Sequence, residues 1–268
     1  MPDPQALAVE LTDAYTKKTL IPAPSSHDGG IDLDTAYATE ASIAATRRAA
    51  GHQTVGWKVG YADKEMWRAL KLDTLVWAHL YDDTVRYADW NDAKLAIGSM
   101  IAPKIEPEIV FKLAKTPVSS DPAAVLEATE WYALGFEIID CAFPDWKFQP
   151  ADFVAARGLH AALVVGEPVY VEPEDIAQLV TDLAEFTVRL LRNNELVGEG
   201  AAKNALKSPA LCIGELAKAL KRRGGETLQA GDIISTGRLT TSLPITPGDT
   251  WIASLSGIPP SSLTLRIT

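Results

Sequence analysis

Glu106 and Glu108 stand two residues apart in Lys104-Ile-Glu-Pro-Glu-Ile-Val-Phe111. On a strand, residues i and i+2 share a face, so both carboxylates would lie side by side. Two anions on an otherwise apolar strand repel each other, and a divalent cation is the natural counter-charge. All-oxygen ligation selects Mg²⁺ or Mn²⁺ over zinc. The same spacing also fits a polar strip on a solvent-facing edge strand. Glu137, in Gly-Phe-Glu-Ile-Ile-Asp140, lies in an apolar run where an unpaired carboxylate is costly. It either pairs with a buried Lys or Arg or supplies a third ligand, with Asp140 the weaker candidate. Three carboxylates would leave positions open for substrate and water. Lys58, in Gly-Trp-Lys-Val-Gly, has flanking glycines that allow close approach of a ligand or backbone. It suits carboxylate binding or proton donation, or else a solvated strand lysine.

Strands must carry these residues. Residues 54–60 (TVGWKVG) alternate and are rich in β-branched and aromatic side chains. Residues 101–115 alternate around the two glutamates, and 136–143 and 160–171 read as buried apolar strands. Residues 186–200 read as two strands around Asn193-Asn194, and four or five short strands follow residue 228. Helices are expected over 4–20 and 34–50, the latter capped by Asp34, and over 121–135 and 208–223. The expected class is α+β, with a smaller helical N-terminal region over 1–90 and a mostly β catalytic domain over 91–268. Strands and helices do not alternate regularly, which argues against a doubly wound sheet. No GxGxxG, GxxxxGK[ST] or GxSxG is present, so dinucleotide, P-loop and nucleophile-elbow chemistries lack local support.

The 268 residues carry 35 acidic and 25 basic side chains, a net charge of −10. Such a chain is a poor match for nucleic acid or an anionic membrane. Two cysteines make no disulfide framework and no CxxC occurs. Near the start no basic segment precedes an apolar one, and no apolar run reaches about 18 residues. A cytoplasmic setting is the expectation.

Five motifs then occur in order: GWKVG (56–60), PKIEPEIVF (103–111), GFEIID (135–140), NNELVGEGAA (193–202) and GDIISTGRLTTSLPITPGD (231–249). Together they resemble the 2-hydroxypenta-2,4-dienoate hydratase and 4-oxalocrotonate decarboxylase family, within the fumarylacetoacetate hydrolase superfamily. The resemblance runs from about residue 35 to the end. It implies a mostly β fold with a helical N-terminal region, a homo-oligomer, and a site for Mg²⁺ or Mn²⁺. Glu106, Glu108 and Glu137 match the metal ligands and Lys58 the active-site lysine. Asp82, with Asp83 close behind, matches an acidic residue near the substrate, and Thr240 falls in a segment that lines the pocket.

The resemblance also marks departures. Relatives carry a segment like Ala-Asp-Asn-Ala-Ser where this chain has Ala155-Ala-Arg-Gly-Leu-His-Ala161. His160 thereby becomes a candidate general acid–base, or a histidine packed at a strand start. Arg157 either pairs with a substrate carboxylate or reaches solvent. Glu40 stands where relatives often have glutamine, and Arg238 where a small residue is common, narrowing or charging the pocket. His27 lacks the His-x-x-Glu pattern of the C–C hydrolase branch, while His52 and His79 have no evident setting. The implied activity is a metal-dependent lyase of the hydratase type, acting on a short unsaturated 2-oxo or 2-hydroxy acid through an enolate, as in aromatic-ring catabolism. Alternatives are an oxalocrotonate-type decarboxylase, a C–C hydrolase of β-diketo acids with His160 activating water, and a silent partner in a complex with another pathway enzyme.

Overall fold

The computed structural model describes residues 2–223, 225–260 and 262–268. It opens with two helices, α1 (Pro4–Lys17) and α2 (Leu33–Ala49). Asp32, rather than Asp34, caps α2: its carboxylate accepts the Thr35 N–H at 2.8 Å, three residues on. Then follow β1 (Thr54–Gly60), α3 (Lys64–Leu70), β2 (Val76–Tyr81), β3 (Val85–Tyr87), β4 (Asp92–Leu95) and β5 (Lys104–Leu113). Next come α4 (Pro122–Leu126), β6 (Thr129–Ile139), α5 (Pro150–Ala155), β7 (His160–Val165), β8 (Val169–Tyr170) and α6 (Ile176–Glu185). The chain finishes with β9 (Thr187–Arg192), β10 (Glu195–Ala201), α7 (Pro209–Arg222), β11 (Ile233–Ser235), β12 (Leu243–Pro244), β13 (Thr250–Ser256) and β14 (Ser262–Ile267).

The strands form two sheets. The larger runs β2-β1-β11-β5-β6-β7-β3, with β12 beside β5 and β8 beside β6; the smaller runs β10-β9-β13-β14-β4. The class is α+β, as expected. Helices dominate only through Ala49, because β1, β2 and β3 join the larger sheet. The expected helical region to residue 90 therefore ends about 40 residues early: alternating residues 54–60 pair with β11 and β2, strands on either side of the proposed boundary. The expected helix over 121–135 stops at Leu126. From Thr129 the alternation of Thr129, Trp131 and Ala133 with Tyr132, Leu134 and Phe136 takes over, and ten residues pair antiparallel with β5. Tertiary pairing overrides the local helical preference of the alanines.

Alternation decides what faces the core. Ile105, Ile109 and Phe111 of β5 and Tyr132, Leu134, Phe136 and Ile138 of β6 join Trp251, Ala253, Leu263 and Leu265 of the smaller sheet. Leu183 of α6 and Ile213, Leu216 and Leu220 of α7 enter the same core. A second cluster packs Leu7, Leu11 and Ala36 of the N-terminal helices on Ile139, Phe143, Phe153 and Val154. Each fully buried large apolar side chain contributes about 1.5–3 kcal/mol. Asp152 ties this layer down, accepting from Ser25 N at 2.7 Å, Ser25 Oγ at 2.5 Å and Gln149 N at 2.7 Å. Asp140 is structural too: it accepts the Ile101 and Ala102 N–H groups and shapes the turn into β5.

Candidate active site

The face of the larger sheet opposite the core carries a row of polar side chains across five neighbouring strands. On β5, Glu106 and Glu108 alternate against the core residues Ile105 and Ile109. The β5–β6 register sets Glu106 opposite Glu137 and Glu108 opposite Gly135. A Cβ at Gly135 would lie 2.5 Å from Val110 Cγ2, so glycine keeps the row closely packed there. On β1, Lys58 lies between the core residues Trp57 and Val59 and pairs with Ser235 of β11. His160 reaches this face through an irregularity. Ile138 pairs with Ala162 but Ile139 pairs with His160, so the bulge at Ala161 turns His160 away from the core side that Ala162 faces.

One ligand oxygen from each of Glu106, Glu108 and Glu137 lies within 4.8 Å of the others. Ser235 Oγ and Gly237 N donate to Glu108 Oε2 at 2.5 and 2.8 Å, and Ser242 Oγ donates to Glu106 Oε1 at 2.5 Å. Lys58 Nζ lies 2.8 Å from Glu137 Oε2 and donates to Gly158 O at 2.9 Å. Gly158 has φ +62° and a Cβ there would lie 2.6 Å from Lys58 Cδ, so only glycine lets the lysine stem pass. Glu108 Oε1 is buried with no hydrogen-bond partner. Three buried carboxylates converging within 4.8 Å, one with an unpartnered oxygen, are the donor set that a hard divalent cation takes. The residues present therefore fit Mg²⁺ or Mn²⁺.

Charge explains the protonation. Burial, then Glu137 and Glu106, push Glu108 well above the ordinary carboxylate range, and burial raises Glu106 against the pull of Lys58. Burial also pushes Glu137 up, but Lys58 and the His160 N–H outweigh it and hold its carboxyl low. For Lys58 burial works downward and the three glutamates win, so the ammonium is raised. His160 is lowered, by burial more than its carboxylate partner can offset. Its Nδ1 lies 2.9 Å from Glu137 Oε1 and its Nε2 lies 2.9 Å from Thr84 Oγ1. A carboxylate only accepts, so Nδ1 carries the proton and Thr84 donates to Nε2. Tyr81 O is then served by the Thr84 N–H at 3.0 Å.

Glu106 and Lys58 open into a cavity of about 480 Å³. Tyr61, Trp146, Phe148 and Phe153 supply an apolar wall, and Lys104, Arg238, Thr240 and Ser242 a polar one. Thr240 lines the cavity; Asp82, Arg157 and His160 do not. Asp82 is exposed and accepts the Gln53 and Asp83 N–H groups, because the short turn after β2 directs it to solvent beside His52. Arg157 has φ +58° and its guanidinium sits 5.3 Å from the Tyr15 ring, which takes it off the cavity lining. His160 is buried behind Glu137, and its ring nitrogens meet Glu137 and Thr84 rather than the cavity. Ser235, Ser242 and the Gly237 N–H, which hold the glutamates, escape sequence reading because nothing separates them from ordinary loop hydroxyls and amides. Glu40 packs elsewhere, against His79 at 2.8 Å.

Residues 78–266 match the family model described as fumarylacetoacetate (FAA) hydrolase C-terminal. The chain belongs to this family. It is 29% identical over 243 residues to the 2-hydroxyhexa-2,4-dienoate hydratase of Comamonas testosteroni, covering 90% of this chain and 89% of that one. It is 28% identical over 257 residues to the 4-oxalocrotonate decarboxylase of Pseudomonas sp. strain CF600, covering 94% and 93%. Among solved structures, the 4-oxalocrotonate decarboxylase from Pseudomonas putida G7, complexed with magnesium and adipate, superposes with a TM-score of 0.87 at 24% identity. It covers 99% of this chain and 97% of that one, a likeness of fold.

Proposed function

We propose that the chain is a divalent-metal-dependent lyase of the hydratase type, acting on a short unsaturated 2-oxo or 2-hydroxy acid. One observation carries the reading: three buried carboxylates, one with an unpartnered oxygen, converge beside Lys58 at the floor of a half-apolar cavity. Glu106, Glu108 and Glu137 would hold Mg²⁺ or Mn²⁺. Bound there, the ion would supply positive charge where negative charge develops on the 2-oxo oxygen of the substrate. Ser235, Ser242 and the Gly237 N–H keep the carboxylates aimed, and His160 does so for Glu137. Lys58 has three donors; Gly158 O and Glu137 engage two, leaving the third for a substrate oxygen or carbon at the cavity floor. Its raised pKa keeps it an ammonium, suited to charge stabilisation and proton donation. Tyr61, Phe148 and Phe153 pack the carbon chain and keep bulk water off it.

The hydratase and decarboxylase relatives support this class, and the place of His160 off the cavity lining speaks against a C–C hydrolase that would use it to activate water. Among the described residues no helix is long and apolar enough to cross a membrane. The buried free thiols of Cys141 and Cys212 suit a reducing, cytoplasmic compartment. A homo-oligomer, and a complex with a second enzyme of the same route, belong to the proposal and are read by sizing the protein alone and mixed.

The test is a metal-resolved screen. Chelated protein, with Mg²⁺ or Mn²⁺ restored, meets 2-hydroxydienoates, 2-oxo-enedioates and acylpyruvates, and products are weighed. Water gained without fragmentation is the expected result, and CO₂ loss would move the assignment to decarboxylation. Undiminished turnover after rigorous chelation would sink the metal-dependent reading.

A further inference from the structure

The segment between β10 and α7 has no part in the site described so far, yet it ties together two loops of the cavity wall. Asn204 is exposed and lines the cavity. It ends a single 3₁₀ turn (Ala202–Asn204), and Ala202 and Ala205 on either side of it are buried in the main core. Its Nδ2 donates to Leu239 O at 2.7 Å. Leu239 is fully buried, and among the described residues no backbone N–H reaches its carbonyl. The side-chain amide thus replaces a sheet partner for a group that burial would otherwise leave unpaired. β10 comes this close only because residue 200 is glycine: a Cβ there would lie 1.9 Å from Leu239 O and 3.2 Å from Asn204 Nδ2. Beyond Asn204, Leu206 N donates to Ala62 O at 2.9 Å. Leu206 and Lys207 hold left-handed backbone there, φ 54° and 74°, which residues other than glycine rarely adopt.

Both tethered loops serve the acidic triad. Leu239 N donates to Pro107 O at 2.9 Å, and Pro107 stands between Glu106 and Glu108 on β5. Leu239 is therefore held through its N–H by β5 and through its carbonyl by Asn204. On one side of it in the chain the Gly237 N–H donates to Glu108, and on the other the Ser242 hydroxyl donates to Glu106. Ala62 backs the same loop, since a Cβ at Gly237 would lie 3.1 Å from the Ala62 Cβ. A shift of Leu239 along or away from β5 would carry both donors off their carboxylates. We propose that Asn204 is a positioning residue for the metal centre: through Leu239 O it fixes the 237–242 loop in the register that aims Glu106 and Glu108. The role rests on the proposed divalent-metal site, and Asn204 fills it without touching the carboxylates themselves.

Calorimetric titration of chelated protein with Mn²⁺ tests this, with a melting curve for every variant. Asn204→Asp is isosteric at an exposed position and turns the donor into an anion facing Leu239 O. An added negative charge by itself would favour a cation, so a weakening reads the displaced loop. Mn²⁺ affinity should fall about tenfold, the low end of the loss usual when a group behind the ligands is removed. Asn204→Ala should lower it about fivefold. Asn204→Gln, which keeps the N–H on a longer stem, should recover part of the wild-type affinity. Thr116→Val removes a comparable bond away from the cavity, Thr116 Oγ1 to Leu228 O at 3.0 Å, and should lower the melt with Mn²⁺ affinity unchanged. Wild-type Mn²⁺ affinity in folded Asn204→Asp, or an equal loss in Thr116→Val, would overturn the positioning role and leave the triad standing. Glu106→Gln, titrated alongside, keeps the two readings apart: wild-type affinity there would overturn the metal centre and the positioning role with it.

Discussion

Glu106, Glu108, Glu137, Lys58 and His160 make one buried ionisable cluster; Glu40 and His79, with the exposed Glu226 and Arg48, make another that reaches the surface, and only the second balances its charge. His79 lies between two carboxylates, with Nδ1 2.8 Å from Glu40 and Nε2 2.6 Å from Glu226, and Arg48 completes the pairing at 3.2 Å from Glu226. Burial pushes His79 down, but its bonds to Glu226 and Glu40 outweigh that and lift its pKa to about 9. His160 has one carboxylate and one hydroxyl, with Lys58 and Arg157 adding repulsion, and it stays neutral. Two histidines on one sheet therefore hold opposite charge states. A cluster with surplus negative charge and an unpartnered Glu108 oxygen is strained until a cation arrives. A balanced one of similar composition pins α2 to β2.

The largest expected effect separates the clusters by metal. Glu106→Gln should weaken Mn²⁺ binding at least about 10³-fold by calorimetry and abolish turnover, since an amide cannot replace a ligating anion. Wild-type-like metal affinity in that variant would move the centre elsewhere. His79→Leu leaves Glu40 buried without its partner and should cost about 3 kcal/mol in denaturant unfolding near neutral pH, with metal affinity unchanged. The sign of its pH dependence follows from the raised pKa. The stabilisation is fully present below the unfolded value near 6.5 and is lost as pH rises through about 9, so the deficit should narrow by roughly 3 kcal/mol between about pH 6 and about pH 10.

His160→Asn should reduce Mn²⁺ affinity about 10–100-fold, the usual loss when a group orienting a ligand is removed, and leave the pH profile of turnover unshifted. A lost limb in that profile would restore His160 as an acid or base. The smallest effect is the sharpest comparison. Metal-free Glu108→Gln should melt higher than wild type, gaining about 1 kcal/mol from relief of repulsion, because its amide oxygen still accepts from Ser235 and Gly237. Glu40→Gln should melt lower by about 1–2 kcal/mol. The same substitution then has opposite signs in the two clusters, and a shared sign would erase the distinction.

What the sequence could show was local. The i, i+2 glutamates, the isolated Glu137 in an apolar run, the glycine-flanked Lys58 and the strands over 54–60 and 187–201 rest on period-two alternation and turn chemistry, which a few neighbouring residues dictate. The order of five motifs was enough for the family. Errors arose where a long-range partner overrides local preference: β6 forms where alanines suggested helix, and β1 and β3 pair with strands far along the chain, Gly56 with Ile233 and Val85 with Leu163.

The site divides in the same way. Its acidic and basic residue types, and hence a candidate site for a hard divalent metal, are legible in the sequence, and the 2-oxo acid is what the resemblance of the five motifs implies. Which residues meet was decided by pairing register and one bulge, which set Glu137 opposite Glu106 and placed His160 behind Glu137. A one-residue slip exchanges the faces of a strand, and that choice is made by the whole sheet packing against its core, not by the residues that carry the chemistry.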